Sequence, residues 1–292
     1  MTLPANPTLG FVGLGVMGHS MAGHLLDAGY PIVVHTRTRS KAEGVLARGA
    51  RWGETPAVVA AQCDLVVTMV GYPADVEEVY LGAHGLLQAA KAGAYLVDMT
   101  TSSPALAERL AREAHEAGVH ALDAPVSGGD VGARNATLTI MVGADPEEFD
   151  AVLPVLRLLG TNVVLQGPAG AGQHTKMANQ IAIAGCMIGV CEALAYAKHA
   201  GLDPQTVLRS ISAGSAGSWS LSNLAPRILA GDFAPGFYVK HFIKDMRIAL
   251  DSAREMDLDL PGLTLAEQLY ARLAEMGYAD SGTQALYKLY EE

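Results

Sequence analysis

The chain has 292 residues, half of them hydrophobic and 17% charged, enough for a packed core and more than one domain usually holds. Thirty acidic against 20 basic residues give a formal net charge of −10, and the basic residues are scattered, which argues against a nucleic-acid backbone as partner. Cys63, Cys186 and Cys191 fit neither a disulfide framework nor a zinc spacing, so the expectation is buried free thiols, no metal site and a reducing cytoplasm.

The first half alternates strands and helices. TLGFVG (8–13) is a short apolar run closed by glycine, HSMAGHLLDAG (19–29) has helical spacing with a glycine stop, and YPIVVHT (30–36) reads as a second strand. Further strands are predicted at 64–70, 94–100, 119–125, 137–143 and 162–167, with helices at 103–118 and 145–160. Such alternation predicts right-handed crossovers and a doubly wound, mostly parallel sheet of Rossmann type. After Gly167 the strand signal stops, and helices are predicted at 173–200, 204–213, 218–231, 239–257 and 261–277, with a short one at 282–291. The expected domains are therefore 1–167, α/β, and 168–292, all-α, joined by a long helix. The most apolar stretch, Ile181–Ala197, is interrupted by Glu192 and reads as a core helix rather than a membrane span. No charged start, apolar core and cleavage site open the chain, so secretion is not expected.

Strand one runs into GLGVMG, where Gly13, Gly15 and Gly18 form G-x-G-x-x-G between a strand and a helix. Glycines there allow a tight turn and close approach of a pyrophosphate, whose charge the helix N-terminus stabilises. Leu14, Val16 and Met17 complete the loop, and Val70 closes another strand toward the same end of the sheet. The end of strand two, VHTRTRSK (34–41), lacks the acid that binds a ribose 2′-hydroxyl and offers Thr36, Arg37 and Thr38, followed by Arg39 and Lys41. An arginine suits a 2′-phosphate, so NADP(H) is the expected cofactor in preference to NAD(H), with Arg37 as the main discriminator. A solvated positive edge is the plainer account of the same residues.

Three later segments carry chemistry. PVSGG (125–129) ends a strand with Ser127, Gly128 and Gly129, a hydroxyl and backbone N–H groups able to hold a carboxylate, or else a hydrogen-bonded turn. DMTTSSP (98–104) ends another strand, with Ser102 or Ser103 as a helix N-cap. GPAGAGQHTKMANQ (167–180) sets Lys176 at the mouth of an apolar helix, with Asn179 one turn later. A buried or half-buried amine is costly unless its proton is used. His174, two residues before the lysine, points to a different helix face.

With these segments in place the chain resembles the β-hydroxyacid dehydrogenase family, which includes 3-hydroxyisobutyrate dehydrogenase, tartronate semialdehyde reductase and the glyoxylate/succinic semialdehyde reductases. GFVGLGVMGHSMAGHL (10–25) is similar to its cofactor signature, with His24 where asparagine is common. DAPVSGG (123–129) is similar to its substrate signature, GAGQHTKMANQ (170–180) to its catalytic signature, and KDMRIAL (244–250) to its cofactor-closing segment. The resemblance implies a hydride transfer between NADP(H) and a small β-hydroxy acid or its semialdehyde. Lys176 would be general acid and base, and Asn179 would align the substrate. It also implies Thr101 and Lys244 near the nicotinamide and Trp219 near the substrate. A capping role suits Thr101 equally, core packing suits Trp219, and a surface ion pair with Asp245 suits Lys244. A homodimer or homotetramer is expected of the apolar helical half. Reduction of short-chain aldehydes such as glyoxylate or succinic semialdehyde, imine reduction and a catalytically silent cofactor-binding module are the rival readings.

Overall fold

The apolar runs of the first half become one sheet in the computed structural model of the chain, which describes residues 3–291. Nine strands form it: β1 (Leu9–Val12), β2 (Ile32–His35), β3 (Arg51–Trp52), β4 (Leu65–Thr68), β5 (Tyr95–Asp98), β6 (His120–Asp123), β7 (Val126–Ser127), β8 (Leu138–Gly143) and β9 (Gly160–Gly167). Their order is β3-β2-β1-β4-β5-β6-β8-β7, with β9 on β8. Pairing is parallel from β3 through β6, antiparallel where β8 meets β6 and β7, and parallel again between β8 and β9. The strand order reverses between β1 and β4, the switch point at which open α/β sheets bind ligands.

Both faces of the sheet are covered, which explains why its strands are apolar runs rather than alternating ones. Leu9, Phe11, Val34, Leu65, Val67, Tyr95 and Val97 pack on one side with Met21 and Leu25 of the helix Val16–Asp27. Val12, Val33, Val66 and Leu96 point the other way, toward Val59, Val76 and Leu110. Successive side chains thus divide between two cores, as a period of two requires.

The chain divides into two compact units, Met1–Lys176 and Met177–Glu292, inside the long helix Ala171–His199. The second unit is all helical among the described residues. Its core gathers Met187, Cys191 and Leu194 of that helix with Phe242, Met246 and Tyr270. Phe242 and Tyr270 meet edge to face at 5.0 Å, and the Tyr270 hydroxyl donates to the Thr283 carbonyl at 2.8 Å. Ala171–His199 is also the one described helix long and apolar enough to cross a membrane, although its Ala184, Met187 and Cys191 are buried in this core.

Several expectations are corrected. β3 and β7 have two residues each, too short for a run of apolar alternation to announce them. The helix expected at 145–160 ends at Leu156, because Gly160 opens β9. The stretch 218–231 is two short helices, Trp219–Asn223 and Ala225–Leu229, and the helix from Pro261 ends at Leu273 in a π turn closed by Gly277 at φ +95°. The last segment, Thr283–Tyr290, is a 3-10 helix. Cys63 and Cys191 are buried, but Cys186 is exposed on the helix face opposite the core.

Candidate active site

The turn after β1 is built around glycine. Gly13 has φ +101°, and a Cβ there would strike the Met69 carbonyl; one at Gly18 would strike the carbonyl of Gly13. A Cβ at Gly15 would meet nothing within 4 Å. Two glycines therefore serve the fold, while the third keeps a surface open at the N-terminus of the helix Val16–Asp27. No acidic side chain lies in that helix's first turn and no side chain caps it. First-turn N–H groups have no acceptor within their own helix, so this end can receive an anion such as a pyrophosphate. The residues present fit a dinucleotide. His24, the departure from the family signature, links this helix to the helix Gly129–Asn135 through the Ala133 and Arg134 carbonyls at 2.9 and 3.0 Å.

Just past β2, Thr36 is buried and the Arg37 side chain is 84% exposed, its Nη1 3.0 Å from Asp75 Oδ1. Asp75 Oδ2 accepts the Tyr72 N–H at 3.1 Å, so this carboxylate also closes the start of the helix Pro73–Leu81. Arg39 lies 5.2 Å over the Trp52 ring and pairs with Glu54 at 3.5 Å. Exposed pairs of this kind contribute little, on the order of 0–1 kcal/mol, so both arginines can turn to a better anion.

At the ends of β4, β5 and β6, Thr68, Asp98, Thr100 and Asp123 are buried and hydrogen-bonded. Val70 N–H donates to Thr100 Oγ1 at 2.9 Å, and Asp98 Oδ1 accepts from Thr68 Oγ1 at 2.9 Å and from Thr100 N–H at 3.0 Å. Ser103 caps the helix Pro104–Glu116 through the Leu106 N–H, which leaves Thr101, half-buried, outside the capping role. Ser127 is half-buried at the end of β7, and Gly128 and Gly129 follow it at φ +126° and +61°. Asp123 accepts the N–H groups of Gly170 and Gln173, each at 2.7 Å, and so grips the start of the lysine helix. Burial pushes its carboxyl up to about 7, against the pull of those bonds downward and with a further push from Asp98.

Lys176 does not reach solvent. It is 7% exposed and its Nζ donates to the Val126 carbonyl at 2.8 Å, immediately before Ser127 in the chain. His174 is exposed. The first unit thus brings together the glycine turn, Arg37, Thr101, Ser127 and Lys176 along the strand ends of one sheet.

The second unit carries Asn179, Trp219 and Lys244. Asn179 Nδ2 donates to Gln180 Oε1 at 2.7 Å, Gln180 Nε2 donates to Asp245 Oδ2 at 2.7 Å, and Lys244 Nζ lies 3.0 Å from Asp245 Oδ1. With side chains 12% and 2% exposed, Lys244 and Asp245 form an enclosed pair, not the surface pair that was the alternative. Trp219 is 68% exposed, which removes core packing as its explanation within this unit. Gln173, Gln180 and Asp123 are the polar residues that motif reading passed over, although all three lie in the quoted segments, and Asp245 was read only as a surface partner of Lys244. Only Asp123, between Leu122 and Ala124, carried a signal, a charged side chain in an apolar strand. Among the described residues no group of three or more His, Cys, Asp or Glu side chains is placed to hold a metal ion.

Two family models match the chain in succession. The NAD binding domain of 6-phosphogluconate dehydrogenase covers residues 8–167, and the NAD-binding domain of NADP-dependent 3-hydroxyisobutyrate dehydrogenase covers 170–290. A Bacillus subtilis (strain 168) protein named as an uncharacterized oxidoreductase is 60% identical over 283 residues, 97% of this chain and 98% of that one. The 2-hydroxy-3-oxopropionate reductase of Escherichia coli (strain K12) is 40% identical over 97% of each chain. Among solved structures, Mycobacterium tuberculosis 3-hydroxyisobutyrate dehydrogenase with L-serine superposes at a TM-score of 0.91 with 30% identity, covering 98% of this chain and 100% of that one.

Proposed function

The chain belongs to the β-hydroxyacid dehydrogenase family and is an NAD(P)-dependent oxidoreductase of CH–OH groups, and from that premise we propose that it interconverts a small β-hydroxy acid and its semialdehyde with NADP(H) as preferred carrier. The observation that carries the reading is Lys176, a buried amine held 2.8 Å from a carbonyl that adjoins Ser127. The nicotinamide, when bound, supplies or receives the hydride. Lys176 supplies the proton to the oxygen that gains charge in reduction and takes it back in oxidation. Val126 fixes the amine through one of its hydrogens. Ser127 and the N–H groups of Gly128 and Gly129 hold the substrate carboxylate, and Asn179 and Trp219 are assigned to the substrate as well.

The glycine turn with Leu14, Val16 and Met17 receives the pyrophosphate, Arg37 with Thr36 and Thr38 the 2′-phosphate, and Val70, Thr101 and Lys244 the nicotinamide end. Support for NADP(H) comes from the absence of any acid at positions 36–38 and from the exposed, weakly paired Arg37. Support for a dimer or tetramer comes from exposed apolar residues of the helical unit, Tyr196 and Leu265 among them. Cytoplasmic residence fits the three free thiols. The substrate is settled by following NADPH oxidation with methylmalonate, tartronate and succinic semialdehydes and with glyoxylate. Turnover of none of the four defeats the proposal.

A further inference from the structure

A buried amide joins the loop after β5 to the first turn of the lysine helix. Gln173 is fully buried: its Oε1 accepts the Ser102 N–H at 2.9 Å, its Nε2 donates to the Thr100 carbonyl at 2.8 Å, and its own N–H donates to Asp123 Oδ2 at 2.7 Å. The two backbone groups it holds are those on either side of Thr101. Thr100 in turn carries the Val70 N–H on its Oγ1 at 2.9 Å. One side chain therefore ties the loops after β4 and β5 to a helical turn that Asp123 of β6 also grips. Lys176 stands three residues further along the same helix face.

We propose that Gln173 is a positioning residue for the reaction, setting Thr101 and Lys176 relative to each other by clamping the peptide groups that flank Thr101. The inference rests on the reading of Lys176 as proton donor. A leucine in its place leaves a buried N–H and a buried carbonyl without their partner, and both segments then relax. Shifts of about 1 Å in reacting groups slow turnover by about 100-fold. Gln173→Glu keeps an acceptor for Ser102 N–H and donates to the Thr100 carbonyl only while protonated, so raising the pH removes that one bond.

The test compares the parent protein with Gln173→Leu and Gln173→Glu. Expected for Gln173→Leu is a kcat lower by about 100-fold, NADPH binding within about threefold, and a larger primary isotope effect on kcat with 4-deuterated NADPH, since displacement slows the chemical step. Gln173→Glu falls between. In the cofactor-free protein, hydrogen exchange of residues 99–103 speeds up in Gln173→Leu while β8 is unchanged. A parental kcat and isotope effect with only a lower Tm, or unaltered exchange at 99–103, overturns the proposal. A parent protein that turns over no semialdehyde, with the exchange difference still present, defeats the proposed function and the positioning role with it. A parent that is active beside an equally active Gln173→Leu defeats this inference alone.

Discussion

Lys176 Nζ lies 2.8 Å from the carbonyl oxygen of Val126, fifty residues earlier in the chain. The amine is thereby fixed beside the β7 end that carries Ser127. Removing it removes the proposed proton donor together with the bond to the Val126 carbonyl. Lys176→Ala is expected to lower kcat by about 10³-fold, within the usual reach of general acid–base catalysis, while NADPH binding by fluorescence titration stays within about threefold. A kcat within tenfold of the parent would count against the role.

The glycine turn predicts opposite behaviour for neighbouring substitutions. At Gly18 an added Cβ meets the Gly13 carbonyl, so Gly18→Ala should destabilise the fold by about 1–3 kcal/mol, seen as a Tm several degrees lower. At Gly15 the same methyl meets open space. Gly15→Ala should leave the Tm of the cofactor-free protein unchanged and weaken cofactor binding by about tenfold, close approach to the pyrophosphate being what that glycine allows. Equal effects of the two on Tm would contradict this division.

Arg37 is the place to test cofactor choice. A charge-assisted bond is worth about 1.5–3 kcal/mol, so Arg37→Ala should raise the KM for NADPH by about 10- to 100-fold and leave that for NADH nearly unchanged. Parallel steady-state measurements decide it, and a parent protein with the higher kcat/KM for NADH ends the preference.

Asp123 makes stability depend on pH. Its carboxyl sits at about 7 in the fold, raised mainly by burial, against about 3.9 in an unfolded chain. The folded protein then holds that proton more tightly than the unfolded one, so this contribution to stability is present below about pH 4 and is lost as pH rises through about 7. Asp123→Asn, which cannot ionise, should gain on the parent protein between pH 4 and pH 8 in thermal or urea unfolding. A difference between the two that stays flat over that range would show that Asp123 titrates as an ordinary carboxylate.

What could be read from the sequence was local. Apolar runs, glycine spacing and the basic residues after β2 located the sheet, the glycine turn and Arg37, because strand period, φ-permissive glycines and helix ends act over a few neighbours. The position of Lys176 was legible for the same reason, but its bond to Val126 was not. Two-residue strands β3 and β7 exist only because a neighbouring strand supplies their hydrogen bonds. Gln173 bridges 71 to 73 positions to Ser102 and Thr100, and Gln180 bridges 65 to Asp245. Whether a polar side chain is solvated or enclosed depends on which distant backbone groups surround it, as the exposed Trp219 and Cys186 and the enclosed Lys244 equally illustrate. Residue type and short-range spacing thus determined the fold class and the candidate chemistry-bearing segments; burial and long-range hydrogen bonding, settled only when the chain closes on itself, decided which of their side chains are held in place and by what.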